Sequence, residues 1–385
     1  DFDEITVINS DSGKIIEQYE TAVTPVVCLT HQGFLQTPTE RFERTNWELI
    51  IDEAVDPYST ETFNTSDSAS RVWVNFDQVF EWSNPDTVPD FKPTTSPQPF
   101  FELSVIRSTP PSIINQQLWH RISNPNWRLW TTWETGENLF KNAAQTATIG
   151  LELSESVLDN WSSVWIAAAA FEKTFMSFWM KRNCIPYSIA HEFELHTGAV
   201  NWHMPTEQFR WSKAAREANP EILTEFRNYC AKNRIGKLIY NKNLDDSTVY
   251  INSDKLPHNA HGINEYRERT DFAFSSAIQP NAFFKNFLRE RSDLSGKQLT
   301  FAFQGYTVYQ LIMRTALRDL NNTTPVNIFA LDTEMLTEVM DLFDHEHSSY
   351  FPCIQVEDKR SKKKPLTPAE KQKLYRQRKK AQTNT

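Results

Sequence analysis

Two adjacent carboxylates, Asp52 and Glu53, follow the apolar run Leu49-Ile50-Ile51 in a chain of 385 residues. A continuous apolar run of this kind predicts a strand that is buried on both faces of a parallel sheet. Because α/β folds bind ligands at the carboxyl edge of such a sheet, the two carboxylates are candidates for a reaction site. In nucleotide hydrolysis, Asp52 would hold Mg²⁺ through water, and Glu53 would orient or deprotonate the attacking water. On its own, Asp-Glu-Ala is more often simply the acidic start of a loop or a helix.

A second candidate group is the row Gln310, Arg314 and Arg318, in a segment predicted to be helical from residue 306 to residue 318. The four-residue spacing places the three side chains on one helix face, within about 80° of one another. Guanidinium groups bind phosphate oxygens through paired hydrogen bonds. Presented across a cleft, this row would reach the γ-phosphate of a nucleotide held by another domain.

Three shorter segments accompany these candidates along the chain. They are Thr30-His31 after the predicted strand 26–29, Thr146-Ala147-Thr148, and the pair Gly262 and Asn264. Each has a simpler interpretation. The first could cap a helix, the second could form a turn, and the glycine could serve a backbone with positive φ.

In this order, the segments resemble the motifs of superfamily-two helicases, which have a DEAD/DEAH-like motor core. The resemblance extends over roughly residues 5–345 and is of the divergent type found in phage and plasmid proteins. It implies an α/β fold with two RecA-like parallel-sheet domains in tandem, ATP and Mg²⁺ as cofactors with Asp52 as the metal ligand, and nucleic acid as the partner.

The same resemblance implies roles for the other candidate residues. Coupling of hydrolysis to movement along nucleic acid would fall to Thr30, His31, Thr146 and Thr148. Gly262 and Asn264 would lie near the nucleotide. The ATP site would be completed by Gln310, Arg314 and Arg318. Of the two arginines, Arg314 is the better candidate for the finger, because Met313 replaces the family's glycine and Arg318 falls one position late.

The phosphate-binding loop of this family, G-x-x-x-x-G-K-[ST], does not occur in the sequence. The three Gly-Lys pairs, at positions 13, 236 and 296, are followed by Ile, Leu and Gln. Without that loop the nucleotide phosphates lack their backbone cradle. We therefore expect a motor truncated before its phosphate loop, and inactive in hydrolysis as this chain alone. The alternative is a helicase-fold protein that binds nucleic acid or acts as a scaffold without hydrolysis.

The predicted domains are residues 1–185, with a Trp- and Pro-rich insertion at about 56–140, and residues 186–345, in which the strand at 237–242 would come first. Residues 346–385 form a basic tail that is predicted to be disordered. Between Lys359 and Lys380 there are eleven basic residues and one acidic residue, so the tail carries +10 and the remainder about −19 of the net −9. A basic tail on an acidic body favours an anionic partner, with DNA expected over RNA.

Other features exclude several classes of protein. No apolar run is long enough to span a membrane, and the four cysteines form no C-x-x-C pair, which suits a reducing compartment. We expect a cytoplasmic protein of a bacterium or a phage-infected host that works with replication or mobile-element proteins. His191, His196 and His203 lack metal-ligand spacing and are predicted to be surface or loop residues. The tryptophans at 119, 127, 130 and 133 are predicted to pack rather than to stack on bases.

Overall fold

The computed structural model describes residues 5–8, 15–20, 22, 26–42, 44–64, 66–67, 72–73, 76–110, 114, 116–141, 146–243, 246, 250–258, 265–319 and 321–354. The chain forms two compact units. Unit 1 comprises Asp1–His196 and Gln279–Thr307, and unit 2 comprises Thr197–Ile278 and Val308–Thr385. The predicted boundary at 185/186 differs from this division chiefly because residues 279–307 belong to unit 1. The predicted disordered tail begins at residue 346, but Ser348–Pro352 form a strand that pairs with Val200–Met204, so this part of the prediction is wrong. Residues 355–385 lie outside the described residues.

The described strands are, in chain order, β1 (Ile5–Ile8), β2 (Val26–Leu29), β3 (Glu48–Asp52), β4 (Tyr58–Asn64), β5 (Ser66–Asp67), β6 (Val72–Trp73), β7 (Phe80–Trp82), β8 (Phe100–Val105), β9 (Trp127–Thr132), β10 (Thr146–Leu153), β11 (Ser163–Ala167), β12 (Val200–Met204), β13 (Leu238–Asn241), β14 (Ser253–Lys255), β15 (Asp271–Phe274), β16 (Val326–Ala330) and β17 (Ser348–Pro352).

The described α-helices are α1 (Ile15–Glu20), α2 (His31–Gln36), α3 (Gln116–Ile122), α4 (Trp133–Phe140), α5 (Phe175–Arg182), α6 (Lys213–Ala218), α7 (Glu221–Asn233), α8 (Ala282–Ser292), α9 (Gly296–Thr300), α10 (Tyr306–Ile312) and α11 (Thr333–Met340). A single π-helical turn, Phe301–Gly305, joins α9 to α10. No described helix is long and apolar enough to cross a membrane.

Unit 1 contains two parallel pairs, β1 with β2 and β3 with β11, and a five-stranded antiparallel sheet in the order β4-β10-β9-β8-β7. In β10, Ala147, Ile149, Leu151 and Leu153 lie on one face, as the two-residue period of a strand requires, and all four belong to the apolar core. The antiparallel sheet takes its strands from residues 58–153, so it extends beyond the predicted insertion. Packing, as predicted, accounts for Trp119, Trp127 and Trp130, all of which are buried.

Unit 2 is built on a six-stranded, all-parallel sheet in the order β14-β13-β15-β16-β12-β17. Its central strands β15 and β16 are buried along their whole length, which is typical of a parallel sheet covered on both faces. The sequence pattern predicts a strand over 326–330, which β16 matches. It also predicts a helix over 220–232 and a strand over 272–275, and α7 and β15 differ from these by one residue at each end. The prediction that residues 237–242 open this sheet is wrong, because β12 precedes β13 in the chain.

Candidate functional site

Asp52 is the last residue of β3, which runs parallel to β11 with Asp52 opposite Ala167. The Glu53 N–H donates to the Ala167 carbonyl at 2.8 Å, so the pairing continues one residue past the strand. The Asp52 side chain is exposed and that of Glu53 is half-buried. The prediction that a strand of a parallel sheet precedes Asp52 and Glu53 is therefore confirmed by the pairing of β3 with β11. Burial on both faces is not, because Ile50 is 70% exposed and Trp165, opposite it, is 54% exposed.

The backbone at this sheet edge is strained on both strands. Glu53 has φ 70°, and Ala170, three residues after the end of β11, has φ 47°. Residues other than glycine seldom adopt positive φ, and such residues cluster at functional sites. The segment beside Asp52 and Glu53 is thus Ala167–Ala170, to which no role was assigned from the sequence. Its sequence signal is a run of four consecutive alanines.

Thr30 and His31 lie at the start of α2. The Thr30 hydroxyl accepts a hydrogen bond from the Gly33 N–H at 3.0 Å, which is the geometry of an N-cap. His31 is the first residue of the helix and is exposed. The capping interpretation therefore describes both residues, and a coupling role stays a prediction.

Thr146 and Thr148 lie at the start of β10, where this strand pairs with β4. Thr146 is opposite Asn64 and Thr148 is opposite Thr62, with 2.9 Å between the two threonine hydroxyls. The interpretation of this segment as a turn is wrong. The segment is part of an antiparallel strand, and its coupling role remains a prediction.

The row Gln310, Arg314 and Arg318 does not share one helix face. Helix α10 ends at Ile312, and the last turn closes with the bonds Arg314 N–H to Leu311 O and Thr315 N–H to Ile312 O. Such three-residue bonds tighten and end a helix. Gln310 is half-buried and Arg314 is buried, whereas Arg318 lies at the end of a separate 3₁₀ turn, Ala316–Arg318. The predicted helix from 306 to 318 is wrong for this reason. Gly262 and Asn264 lie outside the described residues.

Unit 2 has its own carboxyl edge, where the strand order reverses between β13 and β15. From β13 the chain proceeds to β14 on one side, and from β15 it proceeds to β16 on the other. The crevice that forms at such a switch point is where open α/β sheets bind ligands. Four neutral residues lie at this crevice. They are Asn241 at the end of β13, Asn243 just beyond it, and Ser275 and Ser276 just after β15.

A closed hydrogen-bond network joins these residues. The Asn241 amide nitrogen donates to Leu256 O at 2.8 Å, and its oxygen accepts from the Ser276 hydroxyl at 2.5 Å. The Ser275 N–H donates to Asn241 O at 2.9 Å, and the Ala277 N–H donates to Asn243 Oδ1 at 2.7 Å. Because these buried groups satisfy one another, the network fixes the shape of this edge.

Asp332 lies two residues after β16 at the same edge. Its two carboxylate oxygens accept from the N–H groups of Trp211 and Met335, at 3.0 and 2.9 Å, so it caps α11. Burial raises the pKa of Asp332 to about 6, although the two backbone hydrogen bonds oppose the shift. Both carboxylate oxygens of Asp332 are therefore used in hydrogen bonds that stabilise the fold.

His203 corrects the prediction of a surface histidine. It lies buried on β12, stacked between the rings of Phe329 and Phe351, and its Nδ1 is 3.1 Å from the Tyr229 hydroxyl. Burial lowers its pKa, so the neutral form is favoured. Within the described ranges no three His, Cys, Asp or Glu side chains come together as a potential metal site.

Asp52 fits Mg²⁺ by its donor type and its exposure. Mg²⁺ prefers oxygen ligands, keeps several waters, and is usually bound through one or two carboxylates together with substrate phosphates. A single exposed carboxylate at a sheet edge, with Glu53 next to it, meets that requirement. The nucleotide phosphates are usually bound by the backbone N–H groups of a loop with the pattern G-x-x-x-x-G-K-[ST]. The 385 residues do not contain this pattern.

Comparisons with known proteins leave the family unassigned. No family model matches the chain, and no curated protein matches it. A solved structure described as an XPD helicase aligns with a TM-score of 0.46 and 10% sequence identity, over 89% of this chain and 74% of that chain. A likeness at this level establishes neither a shared fold nor a shared family.

Proposed function

We propose that this protein is an ATP-dependent nucleic-acid helicase or translocase, which couples ATP hydrolysis to movement along DNA. The observation that carries the proposal is the accessible pair Asp52 and Glu53 at the carboxyl end of a parallel strand, with positive φ at Glu53 and at Ala170, three residues past the end of the neighbouring strand. The order of the sequence motifs around this pair supports the same interpretation.

Each carboxylate has its own task in the proposed reaction. Mg²⁺, when bound, would neutralise charge on the nucleotide phosphates, and Asp52 would hold it through water. Glu53 would orient the attacking water and accept its proton, which is a task for a positioned carboxylate within hydrogen-bond reach. The left-handed backbone at Glu53 turns the chain sharply after β3 and sets the direction in which this side chain leaves the strand.

The proposed nucleic-acid partner is inferred from the positive charge of residues 359–380. The cluster of eleven basic residues between Lys359 and Lys380 would attract the phosphate backbone without reading sequence, and this attraction weakens as salt rises. Arg314 keeps its proposed role as a phosphate-binding arginine, and the coupling roles of Thr30, His31, Thr146 and Thr148 remain part of the same proposal.

The test is DNA-stimulated ATP hydrolysis by the full-length reading frame that encodes this chain. We expect Glu53→Gln to lower kcat by roughly 10²–10⁴-fold, because the amide cannot accept the proton, while ATP binding is retained. The matched control is Glu48→Gln, an exposed glutamate at the opposite end of β3, and its turnover should equal that of the wild type.

Retention of full turnover in Glu53→Gln would contradict the assigned role. Absence of hydrolysis in the wild type, with DNA binding retained, would overturn the motor and leave the alternative of a helicase-fold binding or scaffold protein. Hydrolysis without separation of duplex strands would identify a translocase that does not unwind.

A further inference from the structure

Three aromatic rings form a row across the parallel sheet of unit 2. Phe329 on β16, His203 on β12 and Phe351 on β17 are register partners on three adjacent strands. The His203 ring stacks on that of Phe329, with the centroids 4.4 Å apart and an interplanar angle of 22°, and on that of Phe351, at 4.9 Å and 17°. Because register partners project from the same face of a sheet, the three rings form one stack that runs across the strands.

This stack ends at the edge of the sheet. Strand β17 is the last in the order of the six strands, so no described strand of the sheet lies beyond Phe351. The exposed fraction of the side chain rises along the row, from 0% at Phe329 to 6% at His203 and 42% at Phe351. His203 covers one face of the Phe351 ring, and the open face therefore points away from the sheet. A further flat ring placed there would continue the stack.

Hydrogen bonds hold the middle ring of the stack. His203 Nδ1 is 3.1 Å from the Tyr229 hydroxyl, and its Nε2 is 3.5 Å from Asn327 Oδ1. Asn327 is itself fixed, because its amide nitrogen donates to Asp271 Oδ1 at 2.7 Å. Since a ring held at both nitrogens keeps its plane, the face that Phe351 presents is set before a ligand arrives. Such preorganisation lowers the entropic cost of binding.

The free edge of β17 is poorly suited to an added β-strand. The Cys353 N–H donates to Met204 O at 2.8 Å, toward the sheet. Because successive N–H groups of an extended chain point to opposite sides, the nitrogen of Pro352 faces the free edge, where it has no hydrogen to donate. Proline on an edge strand is one of the features that prevent pairing with another chain. A flat ligand without a strand backbone therefore fits this edge better than a peptide does.

Charge indicates the chemical class of this ligand. The Thr206 N–H donates to Ile354 O at 3.3 Å, and Lys359, the first residue of the basic cluster 359–380, follows Ile354 by five residues. An extended chain spans at most about 3.6 Å per residue, so the cluster begins within about 18 Å of Ile354. Its eleven basic residues attract a polyanion. An aromatic stacking face combined with positive charge is typical of proteins that bind single-stranded nucleic acid.

We propose that Phe351 is a stacking platform for an unpaired base of single-stranded nucleic acid, which extends the stack of Phe329 and His203 beyond the edge of unit 2. This platform rests on the proposed function for its nucleic-acid partner, but not on ATP hydrolysis. Phe351 contacts the base, and the basic cluster attracts the phosphates. Because every base has a flat face, we expect little preference among sequences.

The test is the binding of a labelled single-stranded oligothymidine to the full-length protein in the absence of nucleotide, measured by fluorescence anisotropy. We expect Phe351→Leu to raise the Kd about tenfold, because an aliphatic side chain offers no flat face to a base. Phe351→Val, which keeps a high strand propensity, should show the same loss if the leucine variant is poorly folded. Phe351→Trp keeps an aromatic face and should bind at least as tightly as the wild type.

Tyr350→Leu is the matched control. Tyr350 is 45% exposed on the same strand, and its hydroxyl is 3.1 Å from His345 Nδ1. Neighbouring residues of a strand point to opposite faces of the sheet, so Tyr350 is not part of the stack. We expect its substitution to leave the Kd for oligothymidine unchanged. Equal losses of affinity in Tyr350→Leu and Phe351→Leu would overturn the proposal.

An abasic oligomer of the same length separates stacking on a base from attraction to phosphates. The wild type and Phe351→Leu should bind this oligomer equally. The slope of log Kd against log salt concentration for oligothymidine should also be the same, because the number of phosphate contacts does not change. An unchanged Kd for oligothymidine in Phe351→Leu, or an equal loss with the abasic oligomer, would refute the platform.

Failure of the platform and failure of the proposed function give different results. If the wild type does not hydrolyse ATP, the motor is refuted, and the Kd of Phe351→Leu still decides the platform. If hydrolysis is present and the wild type binds no oligothymidine, the platform alone is refuted. Sedimentation of the DNA-free protein tests a different occupant, since a dimer that dissociates in Phe351→Leu would assign this edge to a second copy of the chain and overturn the proposal.

Discussion

Two aspartates at the carboxyl ends of parallel strands have opposite surroundings. Asp52, which ends β3 in unit 1, is exposed, and the residue after it has a left-handed backbone. Asp332, which follows β16 in unit 2, is buried, and each of its oxygens accepts a hydrogen bond from a backbone N–H group. The same position in a parallel sheet therefore supplies a candidate reactive group in one unit and a helix cap in the other. Exposure and hydrogen-bond partners, and not topology, distinguish the two.

The rest of each edge differs in the same way. Unit 1 presents the charged pair Asp52 and Glu53 beside a run of alanines. Unit 2 presents a neutral network, in which Asn241 and Ser276 are buried and bonded to each other. The first edge is suited to bind a cation and to move a proton, and the second is suited to hold loops in place.

The largest effect is expected from removing the centre of the neutral network. Asn241→Leu keeps the branched shape of the side chain but removes the partners that Asn241 gives to the Leu256 carbonyl and the Ser276 hydroxyl, so the free energy of unfolding should fall by about 3 kcal/mol. Urea unfolding measures it. Asn228→Leu, at an exposed position on α7, should change stability by less than about 0.5 kcal/mol. Equal changes in the free energy of unfolding for the two substitutions would contradict the structural role assigned to the neutral network of unit 2.

The next effect concerns pH. Because the pKa of Asp332 is about 6 in the folded protein and 3.8 ordinarily, the unfolded state loses this proton first as the pH rises. The contribution of Asp332 to the free energy of unfolding is therefore present at acidic pH and is lost as the pH rises from about 4 to 6. Between pH 4.5 and pH 6.5 this contribution falls by about 2 kcal/mol. Asp332→Asn removes the titration, so the difference in unfolding free energy between wild type and variant should change by that amount. A difference independent of pH would show that Asp332 is not perturbed by burial.

The smallest effect separates capping from coupling in unit 1. Thr30→Ala removes the hydroxyl that accepts from the Gly33 N–H and should cost about 1 kcal/mol of stability, which Thr30→Ser should restore. Thermal unfolding measures the loss, and DNA-stimulated hydrolysis is measured in parallel. Loss of hydrolysis in Thr30→Ala without loss of stability would assign Thr30 to coupling and sharpen the contrast between the two units.

The sequence predicted unit 2 more closely than unit 1. Strands β15 and β16 are continuous apolar runs, which is the local signature of a buried parallel strand, and both were found. The five-stranded sheet of unit 1 has no such signature. Strand β10 pairs with β4 and β9, and the pairing depends on residues far apart in the chain, with polar residues on the face covered by α8. Local patterns do not encode partners of this kind.

Only part of the candidate site was predicted, because the sequence pattern identifies single strands but not the strands that pair with them. Asp52 and Glu53 were found because the apolar run before them marks a strand. Ala167–Ala170 was missed because its place beside them arises only from the pairing of β3 with β11. Gln310, Arg314 and Arg318 were placed on one helix by spacing alone, and the hydrogen bonds that end α10 at Ile312 divide them.

The central claim is that Asp52 holds the catalytic Mg²⁺, and the most direct test is the Mg²⁺ concentration that half-saturates ATP hydrolysis by the full-length protein. In Asp52→Asn we expect this concentration to rise by about tenfold or more, because a neutral amide is a weaker ligand for a hard cation. In Asp159→Asn, an exposed aspartate of the same unit, it should equal that of the wild type. An unchanged Mg²⁺ requirement in Asp52→Asn would contradict the account.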